Sequence, residues 1–101
     1  MIRHIVMFKF KDFAEGNDKA TNLAIAKEKL QGLQGVCPTL LRSMVKLGAE
    51  GSDETNYDLV LIGEYADLEA LNAYIVHPAH QKVGEFMRAV RESRACIDFE
   101  F

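Results

Sequence analysis

Residues 2–10 read IRHIVMFKF, and in an extended chain Ile2, His4, Val6, Phe8 and Phe10 fall on one side while Arg3, Ile5, Met7 and Lys9 fall on the other. Successive strand side chains point to opposite faces, so the alternation predicts a strand. Both sides carry apolar residues, so both faces need cover. The same pattern returns in YDLVLIGEY, residues 57–65, with Tyr57, Leu59, Leu61, Gly63 and Tyr65 against Asp58, Val60, Ile62 and Glu64. Neither face is plainly a solvent face there either.

Between and around these strands the period changes. Residues 11–17, KDFAEGN, read as a turn-rich connection, after which Asn17 or Asp18 caps a helix carrying Ala20, Leu23, Ile25 or Ala26, Leu30 and Leu33 at helical spacing. Gly35 and Pro38 are expected to end it. A strand over 39–47, TLLRSMVKL, leads into the glycine-rich loop GAEGSDETN. Asp67 opens a second helix with Leu68, Leu71, Tyr74 and Ile75 in register, and Pro78 stops it. A last helix starts at Ala79 with Val83, Phe86 or Met87, and Val90 as its stripe, and residues 94–101, RACIDFEF, close the chain as a strand.

The order β-α-β-β-α-β predicts an α+β fold of the ferredoxin-like kind, a four-stranded antiparallel sheet with helices on one face. The other face then needs a partner. We expect a homodimer through the sheet face carrying Ile2, His4, Val6, Phe8, Leu59 and Leu61, with the strand ending at Phe101 contributing, because a chain of 101 residues buries only a modest core by itself.

Composition narrows the partners. With 49% hydrophobic and 27% charged residues the chain has the balance of a folded globular domain. A net charge of −3 gives no basic footprint, which argues against nucleic acid and anionic membrane surfaces. Arg3, His4 and Lys9 interrupt the opening apolar stretch, so no secretory leader is expected and the cytoplasm is the default. There Cys37 and Cys96, which form no CxxC, are expected to stay reduced.

Two of the three histidines and one of the three tyrosines lie in YIVHPAH, Tyr74–His80. The opening HIVMFKFK, this YIVHPAH segment and the closing CIDFEF, in this order and at these separations, resemble the stress-responsive dimeric α/β-barrel family, the Dabb domain. The resemblance covers essentially the whole chain as one domain, residues 1–101. It implies a protomer that pairs sheet to sheet into a barrel and needs no cofactor. Most bacterial members have no assigned reaction, whereas plant cyclase members close an aldol ring in a cavity between helices and sheet. Their catalytic base is the second histidine of the matching segment, assisted by its tyrosine. The corresponding positions here are His80 and Tyr74.

The same resemblance makes His4, Val6, Phe8, Leu61 and His77 candidate substrate contacts. Arg91, Arg94 and Cys96 stand where a cyclase carries bulky apolar walls, which argues against a long, apolar polyketide. Arg91 and Arg94 are candidates for holding an anionic ligand, or else for pairing with Glu85 or Glu92 near the helix end. His80 can titrate near neutral pH as a base, and Tyr74 can donate to an enolate. Both are equally able to bond backbone at a helix joint, and that structural reading is favoured. His4, mid-strand among apolar neighbours, reads as a satisfied core or interface group. His77, His80 and His4 are not expected to hold a metal, since Pro78 breaks the helical face that the HxxH spacing needs.

Three functions follow: a small-molecule-binding dimer without turnover; a cofactor-free cyclase, lyase or isomerase using His80 and Tyr74; and a cofactor-free monooxygenase, against which the absence of tryptophan counts.

Overall fold

A computed structural model describes residues 1–101. Strand β1 (Ile2–Phe10) occupies the interior of a four-stranded sheet, hydrogen-bonded on one edge to β5 (Leu59–Tyr65) and on the other to β6 (Arg91–Glu100). β4 (Arg42–Leu47) extends the sheet beyond β5, giving the order β4-β5-β1-β6 with every pair antiparallel. Helices α1 (Lys19–Gln31), α2 (Leu68–Val76) and α3 (Pro78–Val90) all lie on one side. This is the ferredoxin-like plan expected from the element order.

Local chemistry sets the helix ends. Asp18 accepts a hydrogen bond from the Thr21 amide at 2.8 Å, and Asp67 accepts one from Ala70 at 2.8 Å, so each supplies an acceptor to a free first-turn amide. Pro78 forces His77 into extended backbone (φ −60°, ψ 134°), which ends α2. The same residue then starts α3, because the His77 Nδ1 accepts from the Ala79 amide at 3.1 Å while Pro78 takes the first helical position.

Several boundaries differ from expectation, among them the starts of β4 at Arg42 rather than 39 and of β5 at Leu59 rather than 57. α1 stops at Gln31 with Gly32 as its cap, one turn before Gly35. The connection after β1 holds a small hairpin, β2 (Phe13–Ala14) paired with β3 (Asn17–Asp18), which buried Asn22 ties to α1 by donating to the Ala14 carbonyl at 3.0 Å. β6 begins at Arg91 rather than Arg94, because the register against β1 shifts between Lys9 and Phe10. This β-bulge keeps the chain paired immediately after α3.

The face expected to pair two copies is the one the helices cover. Ile2, His4, Val6, Phe8, Leu59 and Leu61 are all buried within a single chain, most of them in one cluster with Leu30, Leu71, Tyr74 and Met87 from the helices. The reason is parity: these positions share one side of β1 and β5, and the helices pack there. The uncovered side holds the alternate residues. Met44, Ile62, Ile5 and Ile97 are paired in turn across all four strands, forming an aliphatic row. Ile97 is 60% exposed and Phe99 38% exposed. Only one ion pair, Arg3 with Glu64 at 2.9 Å, crosses this face, and the Arg3 guanidinium lies 3.9 Å from the centre of the Phe101 ring.

Gly63 is opposite His4 on β1, and a Cβ there would meet the Tyr65 hydroxyl at 2.7 Å and its ring at 3.0 Å. Tyr65 is wholly buried, so it has no room to yield. Gly63→Ala is expected to cost about 1–3 kcal/mol through this overlap. Guanidinium denaturation reads the loss, and an unchanged midpoint would show that the glycine is not needed for packing.

Candidate functional site

The strand parity that buries His4, Val6, Phe8 and Leu61 also aims them at α3. Between them lies a cavity of about 230 Å³. From α3, residues His80, Gly84 and Arg88 enter at intervals of one turn, with Met87 and Val83 beside them. The helix ends there and the chain reverses into β6, bringing Arg91 and Arg94 to the same cavity. Residues 91 and 94 would face opposite ways in a regular strand. The bulge that pairs Arg91 with Phe10 and Arg94 with Phe8 puts them on one side.

Of the residues expected at a site, His4, Val6, Phe8, Leu61, His80, Arg91 and Arg94 come together around this cavity. His77 does not line it, since its Nδ1 caps α3. Tyr74 lies behind His80, with ring centroids 4.4 Å apart, rather than on the cavity wall. Met87 and Arg88 were missed as site residues, although their spacing of seven and eight residues from His80 puts them on its face of the helix. Asp98 was missed as well, and register is what reveals it: Asp98 pairs with His4, as Cys96 does with Val6.

His80 donates from Nδ1 to the Ile75 carbonyl at 3.0 Å, because a carbonyl can only accept. This is the backbone bond of a helix joint. It also fixes the tautomer, leaving Nε2 as the unprotonated nitrogen of the neutral ring. Burial lowers the His80 pKa, the Ile75 bond opposes that, and His4, Arg94 and Arg88 lower it further. The imidazole is therefore neutral at pH 7, with a free acceptor.

Behind it runs an aromatic file: Tyr74 against His80, Tyr65 against Tyr74 at 5.2 Å, and His4 edge-on to Tyr65 at 6.2 Å. The Tyr65 and Tyr74 hydroxyls are both buried. Burial pushes the Tyr74 pKa up to about 12 and the Tyr65 pKa higher still, so both stay protonated.

At the other side of the sheet cavity the His4 Nδ1 donates to Asp98, with the Cys96 sulfur 3.5 Å from the same nitrogen. Potential ligand atoms of His4, Cys96 and Asp98 all lie within 4.8 Å of one another, whereas the HPAH histidines form no such cluster. A divalent ion there would have to displace the His4–Asp98 bond. Cys96 has no base: the nearby nitrogen already carries the shared proton, and burial, then Asp98, raise the thiol above its ordinary value. Cys37 is buried, with its thiol likewise raised by burial, and both cysteines are free.

An α+β protomer with an apolar sheet face left open and a small cavity under its helices defines a class, the ferredoxin-like barrel domains. Residues 2–101 match the model of the Stress Responsive A/B Barrel Domain, Dabb, and the chain belongs to that family. It is 29% identical over 100 residues to the stress-response A/B barrel domain-containing protein DABB1 of Arabidopsis thaliana, covering 98% of this chain but 46% of that protein, so it spans about half of that relative's length. Among solved structures, a dimeric ferredoxin-like protein of unknown function from Bacteroides fragilis superposes with a TM-score of 0.86 at 28% identity, over 99% of this chain and 95% of the other. A hydroxynitrile lyase from Passiflora edulis shares the fold at a TM-score of 0.74 and 16% identity, over 97% and 90%.

Because the folded pKa of His80 lies below the unfolded value of 6.5, the unfolded chain takes up its proton first as pH falls. Stability should therefore drop as pH falls from about 6.5 through the folded pKa, and His80→Gln should flatten that slope. Nitrogen-15 NMR of the imidazole should show a protonated Nδ1 and a midpoint below 6.5; a midpoint at or above it would contradict the assignment.

Proposed function

We propose that this protein is a homodimeric binding module that takes a small molecule into the cavity between α3 and the sheet. The cavity carries this reading. Its walls combine apolar Val6, Phe8, Leu61 and Met87 with a few convergent polar groups, the composition of a ligand pocket, at a size below the usual range of about 300–1,000 Å³. A single ring or a short chain fits such a space. Dimerisation is assigned to the open face with Ile5, Met7, Ile62 and Ile97, and is supported by the apolar row and by the dimeric description of the Bacteroides fragilis protein. No helix is long and apolar enough to cross a membrane. Placement in the cytoplasm is supported by the two free cysteines.

A second reading follows from the His80 tautomer. A neutral imidazole with Nδ1 committed to Ile75 presents Nε2 as a base, able to take the proton from a carbon acid beside a carbonyl while the electron pair moves to the enolate oxygen. Tyr74 in this reading positions the ring, because its own ring packs against it. The corresponding reaction is a cofactor-free lyase, cyclase or isomerase step.

Light scattering on the purified chain should give twice its 11.3 kDa mass, and Ile5→Glu should give a folded monomer, since the cost falls on the pairing face and not on the helix side. A wild-type monomer at micromolar concentration would contradict the dimer. In an amide NMR screen of fragment-sized compounds, binders should perturb Val6, Leu61 and His80, and Val83→Trp, which places an indole at the cavity wall, should abolish the shifts. Binders that leave these residues unmoved would place the site elsewhere. Exchange of deuterium into a bound carbonyl compound, lost in His80→Gln, would favour the second reading.

A further inference from the structure

The cavity carries a charge pattern at odds with the protein around it. The chain has 15 acidic against 12 basic residues, yet Arg88, Arg91 and Arg94 all reach this one cavity. No acidic side chain lines it, and no carboxylate lies within 4 Å of any of the three guanidinium groups. The pairing of Arg91 or Arg94 with Glu85 or Glu92, which the sequence left open, does not form.

Two local devices create the cluster. The β-bulge at the start of β6 turns Arg91 to the side of Arg94, three residues away. Gly84 keeps space on α3, where a Cβ would meet the Arg88 Nη1 at 3.1 Å. A glycine inside a helix costs stability relative to alanine, and here the room it leaves is filled by an arginine. Three like charges gathered without an ion-pair partner repel one another, since Asp98 at the cavity's edge is engaged by His4. Arg91 is half-buried and has also lost water, while Arg88 and Arg94 are exposed. Burial, then Arg94 and Arg88, hold the Arg91 pKa below its ordinary value. Such an arrangement is completed by an anion, because guanidinium groups bind carboxylate and phosphate through paired, charge-assisted hydrogen bonds.

We propose that Arg88, Arg91 and Arg94 form the head-group site for a small anionic ligand, a carboxylate or phosphate monoester whose short apolar part lies along Val6, Phe8 and Leu61. The proposal rests on the reading of this cavity as a ligand site and names the ligand's class. The anionic head is held at the α3–β6 turn, and the apolar part runs toward His80 and His4. The size of the cavity limits that part to about one ring. An anionic head also suits the second reading of the site, since a carbonyl next to the held group would present its carbon acid to the His80 Nε2.

The test is calorimetric titration of the wild-type protein at pH 7.5 with phenylacetate, benzyl phosphate and phenylacetamide, each followed by amide NMR. The two anions should bind at least about tenfold more tightly than the neutral amide, with shifts at Val6, Leu61 and His80. Whichever anion is preferred identifies the head group. In Arg91→Gln/Arg94→Gln the advantage should vanish while the amide binds as before. The unliganded double variant should melt no lower than wild type, because it loses repulsion and no ion pair.

Equal binding of the amide and the anions in the cavity would overturn the anion site and leave the cavity reading standing. No binding by any of the three would overturn both. An anion preference that survives in the double variant, or a double variant that melts well below wild type, would show that these arginines serve another purpose and would overturn the proposal.

Discussion

Everything in this protein hangs on the two-residue period of β1, a strand held by ladder hydrogen bonds on both edges. Pairing with β5 and β6 leaves its side chains two directions only. His4, Val6 and Phe8 go to the helices, and Ile5 and Met7 go to the bare face. A slip of one residue would exchange the two sets, placing an aliphatic row in the cavity and histidine on the outer face. The helix side then becomes the core with its cavity, while the other side becomes a surface of Ile5, Ile62 and Ile97 that water does not favour. One geometric rule thus separates the work of the two faces.

The joint at HPAH does for the helix layer what β1 does for the sheet. Pro78 cannot continue α2, and His77 ends one helix and caps the next. Two residues into α3 comes His80, whose Nδ1 returns to the Ile75 carbonyl across the break. The proline-enforced turn therefore sets the ring's position and its tautomer, while burial lowers its pKa. Tyr74 and Tyr65 fill the space behind with buried rings, Tyr74 in tilted contact with His80 and Tyr65 with Tyr74. Structural and chemical roles of this segment are not alternatives: the bond that makes His80 part of a joint is the bond that leaves its Nε2 free.

Much of this was legible in the residues. Periodicity gave every major element, Asp18 and Asp67 were readable as caps, and the proline in YIVHPAH marked the helix break. The side of the sheet under the helices was not legible, because β1 and β5 are apolar on both faces and periodicity alone carries no sign. Only packing chose, and it chose the face with His4, Val6 and Phe8. Cross-strand partners were equally hidden. Asp98 meets His4 through a register that depends on the bulge at Arg91, and a bulge at a helix-to-strand turn leaves no trace in hydrophobic alternation. The short hairpin over Phe13–Asp18 was lost for a different reason, since two-residue strands have no period to read. Arg88 could have been found, as it shares the face of α3 with His80.

The central claim is that one face of the sheet holds the ligand cavity and the opposite face holds the partner. Intermolecular nuclear Overhauser effects, measured on a mixed dimer of isotope-labelled and unlabelled chains, test it directly. The account predicts cross-chain contacts from the methyl groups of Ile5, Ile62, Met44 and Ile97, and none from Val6 or Leu61. Cross-chain contacts from Val6 and Leu61, with none from the Ile5 row, would contradict it.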